Sequence, residues 1–292
     1  MKMNETSYKV FCLVARYLNN APCAINKELI DMVTGGDKDG EERAFSALLA
    51  ELLGVDSTRS QEEKQMFREY FLPMVKKLNP EEYEANAYLK AIPFKEGKIG
   101  AWEIKLDKYS AYEGFVYDNP TVYFDGKVVP RIGFFDREYS YPAIYENGRE
   151  WMLITPNEIR TMASPVSRAK GRVLTFGLGL GYYAFSVSEK SEVETVTIVE
   201  RDGNAIELFK EIILPYVKNK NKINIVKSDA FEYMESGKTR DFDTIFVDLW
   251  HDPSDGVELY KKAKSYERMN PEACYDYWIE DSIKHTRPLS YK

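Results

Sequence analysis

The chain has 292 residues, more than one typical domain of roughly 100–200 residues, so at least two modules are expected. Hydrophobic residues make up 44% and charged residues 30%, enough for a packed core under a water-facing surface. The net charge of −7 gives no strong nucleic-acid signal.

Cys12, Cys23 and Cys274 are scattered and lack C-x-x-C spacing, which argues against a disulfide framework and for a reducing, cytoplasmic setting. With two histidines in the sequence, His251 and His285, no metal site of the His/Cys kind is expected. No apolar stretch approaches the roughly 20 residues that span a bilayer, so no membrane partner is expected. The opening apolar run is broken by Arg16 and has no small-residue cleavage pattern, which argues against a signal peptide.

From Thr6 to Lys90 the pattern is helical. Val10, Phe11, Val14 and Leu18 share one face of a first helix, Tyr8–Leu18. Ala24–Val33 and Glu41–Leu53 follow, closed by Gly35-Gly36 and Gly54. Ser60 to Leu78 reads as a long helix opened by a Ser60–Glu63 capping box, with a kink or break at Pro73. Pro80 opens a further helix, Glu81–Lys90. Residues 1–95 are therefore expected to form a helical module, a scaffold or oligomerisation element without chemistry of its own.

Residues 96–155 read as a small antiparallel β module. Short strands are expected at Glu113–Tyr117, Thr121–Phe124, Lys127–Val129 and Trp151–Ile154, with Asp125-Gly126 as a hairpin turn. An entry helix, Pro156 to Ala169, has Thr155 or Asn157 near its cap.

Residues 156–292 then alternate strand and helix. The apolar run Val173–Phe176 leads into Gly177-Leu178-Gly179-Leu180-Gly181, a helix starts at Tyr182, and a second strand, Thr195–Val199, ends in Glu200. Further strands are expected at Ile223–Val226, Phe242–Val247 and Cys274–Ile279, and further helices at Asn204–Val217, Phe231–Ser236 and Val257–Tyr266. This order predicts an α/β fold with a doubly wound, mostly parallel sheet, whose ligand sits at the carboxyl ends of the strands. Those ends carry the glycine loop, Glu200, Asp229 and Asp248.

Each of these residue types has a chemical reason to be there. Glycines let the backbone turn and approach a ligand where a Cβ would collide. A carboxylate such as Glu200 can accept both ribose hydroxyls; Asp229 with Ala230 suits a purine's exocyclic amine, and Asp248 faces the reactive end. A dinucleotide fingerprint would need glycine at position 182, where Tyr182 stands.

With G-x-G-x-G and an acid beyond it, the chain resembles the class I S-adenosylmethionine-dependent methyltransferases, and more narrowly their spermidine-synthase-like branch. The narrower resemblance rests on Thr197–Asp202, Lys227–Met234, Phe242–Asp248 with Asp252-Pro253, and upstream on Phe124-Asp125-Gly126 and Asp136–Tyr139. It implies a Rossmann-like domain with S-adenosylmethionine as cofactor. The cofactor contacts would be Gly177, Leu178, Gly179, Gly181, Glu200, Arg201, Asp229, Ala230 and Asp248. Three features depart from aminopropyltransferases: Leu180 stands where they carry an acid, Tyr141–Glu146 lacks their Tyr-His-Glu run, and Asp248–Pro253 is one residue longer than D-x-x-D-P.

The reading is therefore methyl transfer to a small-molecule acceptor, with aminopropyl transfer to a diamine or a non-catalytic scaffold as alternatives. Asp248, His251 and Asp252 are the candidate catalytic residues. His251 would take a proton, and Asp252 with Asp255 would hold a cationic substrate. Trp250 is expected to stack on substrate or pack in the core, Tyr182 to face the pocket and Tyr183 the core. Residues 281–292 are too few to supply two more strands after Glu280, so the sheet is expected to stop at about five. Its edge would then be shielded by the helical module or by a homodimer partner.

Overall fold

The computed structural model describes residues 3–285. The chain divides into two compact units: the chain up to Tyr83 together with Lys108–Ser140, and Glu84–Asp107 together with the chain from Tyr141 onward. This division does not follow the sequence boundaries at 95 and 155. Residues 97–107 and 141–153 form strands of one ladder with each other, and hydrogen-bond pairing outweighs adjacency in sequence.

In the first unit, helices Glu5–Asn20, Lys27–Thr34 and Glu41–Leu52 bury Val10, Val14, Ile30, Phe45 and Leu49 against Phe71 and Phe134. The expected long helix over 60–78 is broken up. Gln61–Met66 is α-helical, Phe67–Phe71 widens to a π-type turn, and Val75–Lys77 is a strand parallel to Ile132–Phe134. Pro73 lacks an N–H, and apolar Val75 finds a buried ladder position, so the helix yields to the sheet. Only half of the capping box forms: Glu63 N donates to Ser60 Oγ, while the Glu63 carboxylate accepts from Asp56 N at 2.7 Å. The expected hairpin is present, Thr121–Val122 pairing antiparallel with Val128–Val129 across Asp125-Gly126. Beyond it, the helix read over 81–90 is split into Pro80–Glu84 and Ala87–Ala91, the latter opened by Asn86.

The second unit holds a ladder and a parallel sheet. The ladder runs in the order β1 (Gly97–Ile99), β2 (Trp102–Tyr109), β3 (Tyr139–Glu146), β4 (Arg149–Leu153). Asn147 (φ 52°) and Gly148 (φ 77°) make the β3–β4 turn, an Asn-Gly hairpin that the sequence reading overlooked. Ile144 pairs with Met152 but Tyr145 with Glu150, so Trp151 is the extra residue of a β-bulge.

The parallel sheet comprises β5 (Gly171–Phe176), β6 (Val193–Glu200), β7 (Ile223–Lys227), β8 (Thr244–Val247) and β9 (Cys274–Tyr277) in the order β7-β6-β5-β8-β9. Among the described residues it stops at these five strands, as expected. The fifth strand ends at Tyr277, because Ile279 takes a left-handed conformation. On the β9 edge, Asp276 is held by Arg168 of helix α1 (Pro156–Arg168).

Helices α2 (Tyr182–Ser188), α3 (Gly203–Ile212), α4 (Ala230–Glu235), α5 (Pro253–Lys264) and α6 (Glu280–His285) complete the α/β alternation. Alternate residues of each strand face opposite ways, as strand geometry requires. Val173, Val196, Ile198 and Phe246 pack with Leu180, Phe185 and Phe209 on one face. Leu174, Phe176, Val199 and Ile245 pack with Tyr233, Tyr260 and Ala263 on the other. Burial on both faces explains why these strands read as apolar runs rather than alternating ones.

Phe246 has no exposed surface and stacks on Tyr183, ring centroids 4.1 Å apart. Phe246→Ala is expected to cost about 3–5 kcal/mol, measured as a fall in the urea midpoint at unchanged slope.

Candidate functional site

Successive strands are added outward from β5 to β6 and β7 and then on its other side as β8 and β9, and this switch in strand order between β5 and β8 leaves a crevice at their carboxyl ends. A cavity of about 560 Å³ opens there. Of the expected residues, it is lined by Gly177, Leu178, Gly179, Glu200, Arg201, Asp229, Ala230, Asp248, His251 and Asp252. Gly181 stands outside it: a Cβ there would collide with Phe209, so this glycine serves close packing of the loop on α3.

The glycine loop is held from several sides. Gly177 has φ 96°, and a Cβ on it would collide with the Asp248 carbonyl oxygen. Its N–H donates to Val199 O, and Asp248 N donates to Phe176 O, so the loop root is woven between β6 and β8. Leu178 N donates to Glu200 Oε2 at 3.3 Å and Asp202 N to Glu200 Oε1 at 2.8 Å. Burial raises the Glu200 pKa despite these backbone donors. Leu180 is wholly buried; its N–H donates to Met152 Sδ, and its carbonyl accepts from Tyr88 Oη.

Several side chains have structural duties that the sequence reading had set beside functional ones. Asp229 caps α4, accepting from Phe231 N and Glu232 N. Asp252 and Asp255 form a capping box at the start of α5. Desolvation raises the Asp252 pKa, but hydrogen bonds from Ser254 and then His251 outweigh it and leave it lowered. His251 Nε2 lies 2.9 Å from Glu150 O and Nδ1 3.4 Å from Asp252 Oδ2, so both ring nitrogens face acceptors. It clasps the β8–α5 turn to β4. Trp250 is packed, its indole N–H donating to Trp278 O and its ring stacked on Tyr277. Tyr182 does not line the cavity; it is buried against Tyr88 and its hydroxyl accepts from Asn86 Nδ2. Tyr183 packs in the core on Phe246.

The structure adds residues that the sequence reading missed. Trp102, Trp151 and Trp278 line the cavity together with the expected Trp250, Trp151 presented by the bulge in β4 and set edge-on to Trp102 at 5.9 Å. The bulge is a register feature with no sequence mark. Glu146 and Glu150 line it from the β3–β4 hairpin, and Glu158 from the first turn of α1. The carboxyl residues Glu146, Glu150, Glu158, Glu200, Asp229, Asp248, Asp252 and Asp255 share the lining with one fixed cation, Arg201.

Glu158 is 4% exposed and its Oε1 has no hydrogen-bond partner. Thr155-x-x-Glu158 spells a capping box, yet Thr155 makes no capping bond and the glutamate turns inward. Burial, and then the charge of Asp248, hold the Glu158 pKa well above its ordinary value. Asp248 keeps partial exposure to the cavity, but the surrounding protein strips away enough water to push it up to about 7.

Residues 157–287 match the family model described as the spermine/spermidine synthase domain. Together with the five-stranded parallel sheet, this gives the α/β part a spermidine-synthase-like, class I methyltransferase fold. No curated protein matches the sequence. Among solved structures, the chain is similar to a precorrin-6y C5,15-methyltransferase from Geobacter metallireducens GS-15, at 16% identity over 40% of this chain and 60% of that one, with a TM-score of 0.32. A putative O-methyltransferase from Klebsiella pneumoniae is 21% identical over 32% and 43% of the two chains, TM-score 0.26. The spermidine synthase of Thermotoga maritima is 16% identical over 65% and 59%, TM-score 0.37. The chain thus spans between 43% and 60% of the length of these proteins.

Two outcomes follow from the site geometry. A proton that folded Asp248 keeps up to about pH 7 leaves the unfolded carboxyl near pH 4, so this group's stabilisation is full below about pH 4 and is lost as the pH rises through 7. Thermal midpoints from pH 5 to 8 are expected to fall less steeply in Asp248→Asn than in the native protein. Gly177→Ala is expected to lose at least about 1–2 kcal/mol from its left-handed backbone alone, read by chemical denaturation.

Proposed function

We propose that this protein is a transferase using S-adenosylmethionine, and that it moves the methyl group to a small amine acceptor. The residues suit the nucleoside: Glu200 ends the second strand beside a loop whose Gly177 tolerates no Cβ, and the cavity of about 560 Å³ is of ligand size. Gly177, Leu178, Gly179 and Glu200 would hold the ribose side, Asp229 and Ala230 the adenine, and Asp248 would face the reactive end. The bound sulfonium supplies an electrophilic carbon; the protein aligns a nucleophile with it, and alignment accounts for much of the rate.

The acceptor class rests on the lining of the cavity. Carboxylates with a single arginine, interleaved with tryptophan faces, favour a cation. Asp248, with a proton affinity near neutrality, suits removal of a proton from an amine. His251 Nε2 lies 2.9 Å from Glu150 O, so this residue clasps the β8–α5 turn to β4.

Aminopropyl transfer from decarboxylated S-adenosylmethionine is the second reading, favoured by the family model matched over 157–287. Against it stands Leu180, wholly buried at the loop position where aminopropyltransferases carry an acid.

Calorimetry with S-adenosylhomocysteine is expected to give micromolar binding, weakened about tenfold or more in Glu200→Ala, the scale of a hydrogen bond to a charged group. Absence of heat at millimolar ligand would overturn the proposal. Turnover of decarboxylated S-adenosylmethionine with putrescine, but not of S-adenosylmethionine with any amine, would move the assignment to the second reading.

A further inference from the structure

The first turn of α1 opens onto the cavity and is left uncapped. Its N-cap, Thr155, is 5% exposed and makes no side-chain capping bond, and Pro156 has no N–H to offer. Ile159 N donates to Thr155 O, which leaves Asn157 N and Glu158 N as the orphan donors of the turn. Neither meets an acceptor among the described residues. Thr155, Asn157 and Glu158 all line the cavity. The Glu158 side chain is a second and independent sign of a missing ligand. A glutamate at this position can bond back to the helix start, yet this one lies inward, 4% exposed, with Oε1 unpartnered. Two N–H donors at the positive end of a helix and a buried carboxyl thus stand within one turn of each other. A ligand with an anion and a cation on the same carbon, an α-amino acid, satisfies both.

The rest of the lining says where such a group belongs. The glycine loop has little to give a carboxylate, because Leu178 N, Leu180 N and Gly181 N already donate to Glu200, Met152 Sδ and Leu178 O. Arg201, the fixed cation of the lining, follows Glu200 at the end of β6, on the ribose side. A carboxylate at the other end, among acidic side chains, has the helix N-terminus as its counter-charge. Resting on the donor reading above, we propose that the first turn of α1 takes the amino-acid tail of S-adenosylmethionine. Asn157 N and Glu158 N bind its carboxylate alongside the Thr155 hydroxyl, and the Glu158 side chain binds its ammonium. Burial disfavours a charge on Glu158, and the ammonium is the counter-charge that restores it. With the nucleoside held at β6 and the tail at α1, the sulfonium between them is fixed at both sides and its methyl group points one way. The same turn sets the choice of donor, since a decarboxylated donor leaves both N–H groups bare.

Calorimetry with three nucleosides and no acceptor tests this: S-adenosylhomocysteine, its decarboxylated analogue, and methylthioadenosine, which has no tail. The native protein is expected to bind S-adenosylhomocysteine about tenfold or more tightly than either of the others. Glu158→Gln is expected to lose about tenfold for the two ligands that carry an ammonium, and less than about twofold for methylthioadenosine. In nitrogen-labelled native protein, the amide protons of Asn157 and Glu158 should move downfield with S-adenosylhomocysteine and stay in place with methylthioadenosine. Equal affinity for the decarboxylated analogue overturns the carboxylate site, as do unmoved amides with S-adenosylhomocysteine bound. A folded Glu158→Gln that weakens all three ligands alike, or none, overturns the ammonium site; if that variant does not fold, the native ligand series and the amide shifts still decide. Failure of all three nucleosides overturns the function proposed above and this subsite with it.

Discussion

The site depends on one close approach. Where β5 ends, the backbone of Gly177 passes so near the Asp248 carbonyl that no side chain fits between them. The ladder bond from Asp248 N to Phe176 O fixes the same junction from the other strand. The carboxyl ends of the first and fourth strands of the sheet are thereby locked together, and the glycine loop must leave to one side and Asp248 to the other. Glu200 then ties the loop to the neighbouring strand through Leu178 N and Asp202 N. The resulting wall is rigid because its bonds are backbone bonds, made before any ligand arrives.

The opposite wall is built differently. The β3–β4 hairpin brings Glu146, Glu150 and Trp151 to the cavity, and His251 fastens it to the β8–α5 turn through Glu150 O. The turn is held by its own capping box, so Asp252 and Asp255 are occupied with backbone donors. Glu158 and Asp248 also line the cavity; burial raises the pKa of both, and the charge of Asp248 raises that of Glu158 further. One end of the cavity has its polar groups satisfied internally. The other keeps an unpartnered buried carboxyl oxygen at Glu158.

Bland and functional readings of a residue turn out to be compatible here. Asp229 is a helix cap and also lines the cavity, and Glu200 braces the loop and also lines the cavity. A strand-end carboxylate has two oxygens and several lone pairs, so holding backbone N–H groups does not exhaust it.

The α/β fold was legible in the sequence because buried parallel strands are continuous apolar runs, and because Gly177, Glu200, Asp229 and Asp248 stand at their ends, where local order alone dictates the chemistry. The Asp125-Gly126 hairpin was legible for the same local reason, and Asn147-Gly148 carried the same mark unread. What the sequence could not decide depends on partners distant along the chain. Val75–Lys77 became a strand because Ile132–Phe134 offered it a buried ladder, against the helical pattern around it. Trp151 reached the cavity through a register slip that leaves no trace in residue order. Thr155-x-x-Glu158 has the spacing of a capping box, and only the packing around α1 turned Glu158 inward to the cavity that Asp248 also lines. Local propensity and periodicity act over a few residues; desolvation and charge coupling are set by whatever the fold brings alongside, and so belong to the tertiary structure alone.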